Sequence, residues 1–404
     1  MTRGTSILLT TLFLITLLIQ STNTFADPAD NLERPSATVI NKPLVTPAAP
    51  ILNAKAYILI DVNSGKIIAE KNSEDRLPPA SLTKMMTLYV ISNALHHEQI
   101  HLTDSVRVSK DAWKIGGSRM FIKEGQQVSI EDLLKGIIVH SGNDACVAMA
   151  EHVSGTENSF TDIMNQQAQN LGMNNSHFTD STGLPDPNLY TTAKDLAILG
   201  RALIIDFPQY YDWYKQKWFT FNGIRQPNRN RLLWRDNQVD GLKTGHTSEA
   251  GFCLVSSAKR DNMRLLAVVL GEPNDSSRAD DSEKLLNYGF RFFETHHLYK
   301  SGESITELPL YKGAVDKISV GLHEDQFITI PAGQYQDLNI STKVPSFLEA
   351  PIKKGEKIGD LVVQFNNNII STRPVYALQD IETGGFFTRT KDSIHLAFKR
   401  WFGS

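Results

Sequence analysis

Two short serine strings and one lysine string in this chain could together carry out acyl transfer. Ser81-Leu82-Thr83-Lys84 sets a hydroxyl and an amine three residues apart, which on a helix puts both on one face, one turn from each other. The run Leu82 to Leu95 is largely apolar and holds no Gly or Pro, so it predicts a buried helix that Ser81 opens. A helix start offers free backbone N–H groups and the positive end of the dipole, where the oxyanion of a serine ester finds donors. Lys84, inside an apolar helix, loses hydration, and its pKa falls toward the range of a general base. Taken alone, the pair reads better as a capping serine beside a solvated lysine. Ser256-Ser257-Ala258-Lys259 repeats the spacing in a predicted strand, where residues three apart face opposite ways.

Two further strings change that balance. Ser141-Gly142-Asn143 lies just before a helix beginning near Asp144, and Lys243-Thr244-Gly245 lies on the predicted strand Leu242 to Thr247. Ser21-Thr22-Asn23 copies the second string by chance. The signal is therefore the set of three, in order, each in the element its chemistry requires. With their flanks, Pro79-Ala80 through Met85, Asn143-Asp144-Ala145, and Asp240-Gly241-Leu242 through His246-Thr247, they resemble the low-molecular-mass penicillin-binding D-alanyl-D-alanine carboxypeptidases.

That resemblance implies roles. Ser81 would attack the penultimate D-alanine carbonyl while Lys84 takes its proton, and the oxyanion would sit between the N–H groups of Ser81 and His246. Ser141 would relay a proton to the leaving amine, and Asn143 would bond the substrate amide. Lys243 would supply positive potential, with Thr244, beside Gly245, donating to the terminal carboxylate. Arg278 and Arg229 resemble family positions near that carboxylate, although surface arginines without a part in catalysis are an equal reading. The implied ligands are peptidoglycan stem peptides ending in D-Ala-D-Ala and β-lactam antibiotics, with no cofactor and no metal. A class A β-lactamase would need a glutamate-x-x-leucine-asparagine string, and none stands between Asn143 and Lys243. An endopeptidase of the same kind shares all three motifs and stays open, as does an inactive scaffold.

The elements that must position these residues follow from periodicity. Ala56 to Asp61 and Lys66 to Glu70, around Asn63-Ser64-Gly65, predict a hairpin. Ser129 before Glu131 and Asp132 predicts a capped helix, and Ala145 to Val153 and Thr191 to Leu203 predict two more. Leu242–Thr247, Gly251–Lys259 and Met263–Leu270 predict three strands, and Ser282 to Thr295 a helix. Strands at both ends of a helical middle indicate an α/β or α+β architecture, with hairpin and meander pairing in one antiparallel sheet. Short strands from Ser304 to Tyr376 predict a small all-β module, a β-sandwich. Phe386 to Ser404 carries Phe387, Ile394, Phe398, Trp401 and Phe402 at near-helical spacing among Arg389, Lys391, Lys399 and Arg400. Such a helix suits an inner-membrane surface, the alternative being docking on the protein's own body.

The chain start completes the organisation. Arg3, an apolar stretch from Ile7 to Ile19 and small residues up to Ala26 form a secretory signal, or an uncleaved anchor. The expected division is signal 1–26, Pro-rich linker 27–53, catalytic domain 54–299, β-domain 300–383 and amphipathic helix 384–404, which places the protein at the periplasmic face of the inner membrane. The net charge of −3 gives no reason for a nucleic-acid partner. Cys146 and Cys253, both in apolar runs, read as reduced core residues, although two could also form one bridge.

Overall fold

A computed structural model describes residues 45–402. The expected signal, and the expected linker as far as residue 44, lie outside the described residues. The chain opens with the expected hairpin, β1 (Ala56–Asp61) and β2 (Ile67–Lys71). A helical middle follows: α1 (Lys84–His96), α2 (Lys110–Lys114), α3 (Ile130–Lys135), α4 (Asn143–Ser154), α5 (Glu157–Leu171), α6 (Ala193–Asp206), α7 (Pro208–Tyr211) and α8 (Leu232–Arg235). Two small antiparallel pairs interrupt it, β3 (Ser105–Arg107) with β4 (Gln127–Ser129) and β5 (Trp218–Phe221) with β6 (Ile224–Pro227). The meander β7 (Val239–Thr247), β8 (Gly251–Arg260) and β9 (Met263–Glu272) then leads into α9 (Asp275–Phe292).

Hairpin and meander do pair into one antiparallel sheet, in the order β2-β1-β9-β8-β7, with β1 meeting β9 from Ala56–Leu270 to Asp61–Leu265. Its central strands read as unbroken apolar runs because both faces are covered. Ile58, Ile60, Val255, Leu266 and Val268 face the core that holds α1, α4 and α6. Their neighbours Tyr57, Leu59, Leu254, Leu265 and Val269 face Leu285 and Leu286 of α9. The strand period of two thus splits one sequence run between two cores. Ser129 caps α3 as expected, accepting from the Asp132 N–H at 3.1 Å. Helix α9 begins earlier than the predicted Ser282, because Asn274 caps it by accepting from Ser277 N–H at 2.8 Å. It also ends earlier than Thr295.

The residues after Phe292 form β10 (Phe293–Tyr299), a strand that periodicity did not predict, which pairs with β13 (Gln326–Pro331). Strands of the β-module therefore start before residue 300. The others are β11 (Ser304–Tyr311), β12 (Lys317–Gly321), β14 (Leu338–Lys343), β15 (Leu348–Glu349), β16 (Lys357–Phe365) and β17 (Asn368–Ala377). They form a sheet in the order β14-β16-β17-β12-β11-β15, and Ile328 and Ile330 of β13 pack on Val363 of β16. A buried network ties this module to the first hairpin: Thr295 Oγ1 donates to Asp61 Oδ2 at 2.8 Å, and Ser64 Oγ lies 2.7 Å from Thr329 Oγ1.

The last element, α10 (Phe386–Phe402), is helical as expected. One side docks on the β-module. Leu396 is buried, Asp392 Oδ2 accepts from the Lys312 N–H at 2.6 Å, and His395 stacks on Tyr311. Phe387, Ile394, Phe398 and Trp401 are exposed and, at about 100° per residue, form one stripe opposite Leu396. Among the described residues no helix is long and apolar enough to cross a membrane.

Candidate active site

Ser81 stands in a 3-10 turn, Ala80–Thr83, that runs into α1, rather than at the α-helix start itself. The turn closes through the Leu82 N–H to the Pro79 carbonyl at 3.1 Å. Two glycines let neighbouring backbone approach it. Gly245 of β7 packs so closely that a Cβ there would lie 2.8 Å from the Pro79 oxygen, and at Gly183, with φ of +83°, a Cβ would overlap the Ala80 carbonyl. The glycine of the Lys243-Thr244-Gly245 string is thus what brings that strand against the serine turn.

Lys84 is fully buried and donates from Nζ to Ser81 Oγ at 3.1 Å and to the Thr182 carbonyl at 2.5 Å. Burial pushes its pKa below the ordinary lysine value, and the positive charge of Arg229 adds to this, against Asp180 and Asp144. The carbonyl that holds the ammonium belongs to a tight loop. Asp180 Oδ1 accepts from the Thr182 hydroxyl at 2.8 Å and from the Gly183 N–H at 2.6 Å.

Ser141 follows a π-turn, Gly136–His140, and adopts a left-handed conformation with φ of 62°. Its hydroxyl is buried without a partner among the described residues. Asn143 begins α4; its Nδ2 donates to the Gly116 carbonyl and its N–H to the Ser118 carbonyl, both at 2.7 Å. The next residue, Asp144, accepts from the N–H groups of Met120, Phe121 and Ile122 at 3.0, 2.9 and 3.3 Å. Together these contacts pin the loop from Gly116 to Ile122 over the start of α4.

Lys243 is buried on β7, with Nζ donating to the Thr244 carbonyl at 3.2 Å. Burial, then the charges of Lys84 and Arg229, hold its pKa well below the usual value. Arg278 is buried too. It pairs with Asp275 and donates to the Gly245 and Cys253 carbonyls at 3.3 and 3.4 Å, so it braces the β7–β8 edge from α9. His246 is exposed, with its ring against Phe252 at 4.0 Å. Cys146 and Cys253 are free thiols in the core.

One cleft of about 600 Å³ brings several of these residues together, but Asn143 is buried and is not among those that line it. Ser81, Ser141, Thr244, Gly245, His246, Arg229 and Arg278 all line it, together with Ser118. Lys84 and Lys243 lie beneath its floor. The duplicate Ser256–Lys259 string lies within β8, and the Ser256 hydroxyl is buried without a partner among the described residues.

A family model described as D-alanyl-D-alanine carboxypeptidase matches residues 44–274, more than half of the chain. The chain belongs to the D-alanyl-D-alanine carboxypeptidase family. Residues 293–383 match the C-terminal domain of penicillin-binding protein 5. The D-alanyl-D-alanine carboxypeptidase DacC of Escherichia coli K12 is 47% identical over 367 residues, 89% of this chain and 92% of that protein. DacA of the same strain is 44% identical over 372 residues, 90% and 92% of the two chains. Penicillin-binding protein 5 from Haemophilus influenzae superimposes with a TM-score of 0.79 at 44% identity, covering 84% of this chain and 99% of that one.

Four parts of this carboxypeptidase-family site were not foreseen from residue types and spacing. His140 precedes the second string directly, yet it stands inside an apolar run that reads as core. Asp180 to Gly183 reads as an ordinary polar turn, and Asp144 as a first-turn carboxylate. The β5–β6 pair, whose Gln226 and Pro227 line the cleft, carries an alternating pattern across Asn222-Gly223 that a hairpin search would find.

Proposed function

We propose that this enzyme removes the terminal D-alanine from peptidoglycan stem peptides through an acyl-enzyme on Ser81, and that penicillins acylate the same serine. The observation that carries the reading is a buried lysine with lowered pKa, 3.1 Å from a cleft-lining serine hydroxyl. A neutral amine at that distance can take the hydroxyl proton as the oxygen attacks. Lys84 is the base in this scheme, and the N–H groups of Ser81 and His246 bind the oxyanion. Ser141, a buried hydroxyl with no internal partner, passes the proton to the departing amine. Asn143 bonds the substrate amide. Lys243 supplies positive potential from below, and Thr244 and Arg229 receive the terminal carboxylate. Arg278 acts on that pocket by bracing the Gly245 carbonyl. Water then hydrolyses the ester, leaving a stem one residue shorter.

The chain divides, in this proposal, into an export signal, a linker, the catalytic domain, the β-domain and the C-terminal helix, which lies in the periplasmic surface of the inner membrane. Fluorescent penicillin tests the chemistry. Wild-type protein should label covalently, and Ser81→Ala should lose the label and D-alanine release by roughly 10⁴-fold or more. Labelling that persists in Ser81→Ala would place the nucleophile elsewhere. Products from a diacetyl-Lys-D-Ala-D-Ala peptide and from cross-linked dimers separate carboxypeptidase from endopeptidase: the proposal requires free D-alanine from the first and no cleavage of the second.

A further inference from the structure

His140 is the buried titratable group of the cleft that the catalytic scheme leaves unused. It is only 2% exposed, and it lines the cleft beside Ser141. The Phe219 backbone hydrogen-bonds the ring, and no other partner of either nitrogen stands among the described residues. A buried imidazole with one nitrogen unpaired is costly unless something else supplies the missing partner. Its place is built. The π-turn Gly136–His140 adds a residue to the helical register, rotating the downstream residues by about 100°, and the left-handed Ser141 then aims both side chains into the same cleft. Phe219, on the inner face of β5, holds the ring at a centroid distance of 5.6 Å.

The surroundings determine which hydrogen bond it can make. Burial, and secondly the charge of Arg229, lower its pKa to about 4, with the Phe219 backbone opposing them. At neutral pH the ring therefore carries one N–H and one free lone pair. It adds no third cation to a site already holding Arg229 and Lys243. It sits next to Ser141, on the side where the scheme puts the departing amine. We infer that His140 contacts the leaving group, its imidazole nitrogen accepting a hydrogen bond from the N–H of the terminal D-alanine as that residue departs. The inference rests on the carboxypeptidase reading. It adds a specificity contact for a peptide leaving group and moves no proton.

Penicillin provides the discriminating comparison, because the nitrogen of its β-lactam ring bears no hydrogen to donate. His140→Ala should lower kcat/KM for D-alanine release from diacetyl-Lys-D-Ala-D-Ala roughly ten- to a hundredfold, the loss of one buried hydrogen bond. Its rate of acylation by fluorescent penicillin should stay within about twofold of wild type. His140→Gln, whose amide oxygen also accepts, should recover most of the peptide activity. A parallel loss of both rates would make His140 a packing residue and overturn the inference. So would unchanged D-alanine release in His140→Ala of normal melting temperature, or failure of the Gln variant to recover. A wild-type protein that neither labels nor releases D-alanine would instead sink the carboxypeptidase reading itself.

Discussion

At the scale of single residues the site lowers the pKa values of two lysines. Lys84 and Lys243 are buried under one cleft; burial lowers both pKa values most, and Arg229 adds to both. A base in this position works only when deprotonated, so acylation should rise with pH through the pKa of Lys84 and level off above it. Because that pKa lies below the ordinary lysine value, the acid limb of the profile should fall below pH ~10. Removing a nearby cation raises an amine's pKa. Arg229→Ala should therefore shift the limb of the penicillin acylation rate to higher pH, and a limb that stays in place would show that Arg229 does not tune the base. The three strings were legible from residue types and spacing, whereas the partner that holds Lys84, the Thr182 carbonyl, was not. It comes from a loop ninety-eight positions away, and no spacing rule reaches that far.

At the scale of elements, the serine turn is held by close backbone approach. Gly183→Ala must move a Cβ out of the Ala80 carbonyl and also adopt a left-handed conformation, at a cost of about 1–3 kcal/mol or more. The expected result is a lower melting temperature and penicillin labelling slowed at least tenfold, since the turn that shifts carries Ser81. A second prediction concerns the end of β9. Glu272 is buried, and burial, with the carboxyl of Asp281 next, raises its pKa to about 7, against Lys284 and Lys71. Asp281 in turn accepts from Asn53 N–H and Lys284 Nζ, both at 2.8 Å. Its negative charge disfavours ionisation of the Glu272 carboxyl. The folded state then binds more protons than the unfolded chain between about pH 4.5 and 7, so this group's contribution falls as pH rises through that window. The full loss is on the order of 3 kcal/mol. Glu272→Gln should gain stability relative to wild type between pH 5 and 8 in urea unfolding, and a difference independent of pH would refute the raised pKa. Helix and strand identities followed from periodicity, but the limits of α9 and the strand β10 did not, because a capping Asn274 and a pairing with β13 decided them.

At the scale of the whole molecule, α10 answers two readings at once. It docks through Asp392, His395 and Leu396, and it also presents Phe387, Ile394, Phe398 and Trp401 outward. An apolar stripe left uncovered beside a docked one suits partial burial in a lipid interface. Deleting Phe386–Ser404 should abolish sedimentation with anionic vesicles while leaving penicillin labelling intact. Ile394→Asp with Phe398→Asp should weaken binding without undocking the helix. Vesicle binding that survives both changes would move the membrane contact to another part of the chain. The network of Asp61, Ser64, Thr295 and Thr329 holds the β-module against the first hairpin.

What the sequence determined by itself was the reaction class: three strings, their order and the period of the elements under them are local properties, and local properties are readable along a chain. The apolar runs likewise disclosed a two-faced sheet and a separate β-module. Tertiary structure alone decided which loop carbonyl steadies Lys84, that Ser81 rides a 3-10 turn, and that His140 lines the cleft. It also decided that α10 keeps one face on the protein and one face exposed. Each of these depends on contacts between residues far apart in sequence. The physical reason is that backbone approach, desolvation and charge act through space, and their partners are chosen by packing.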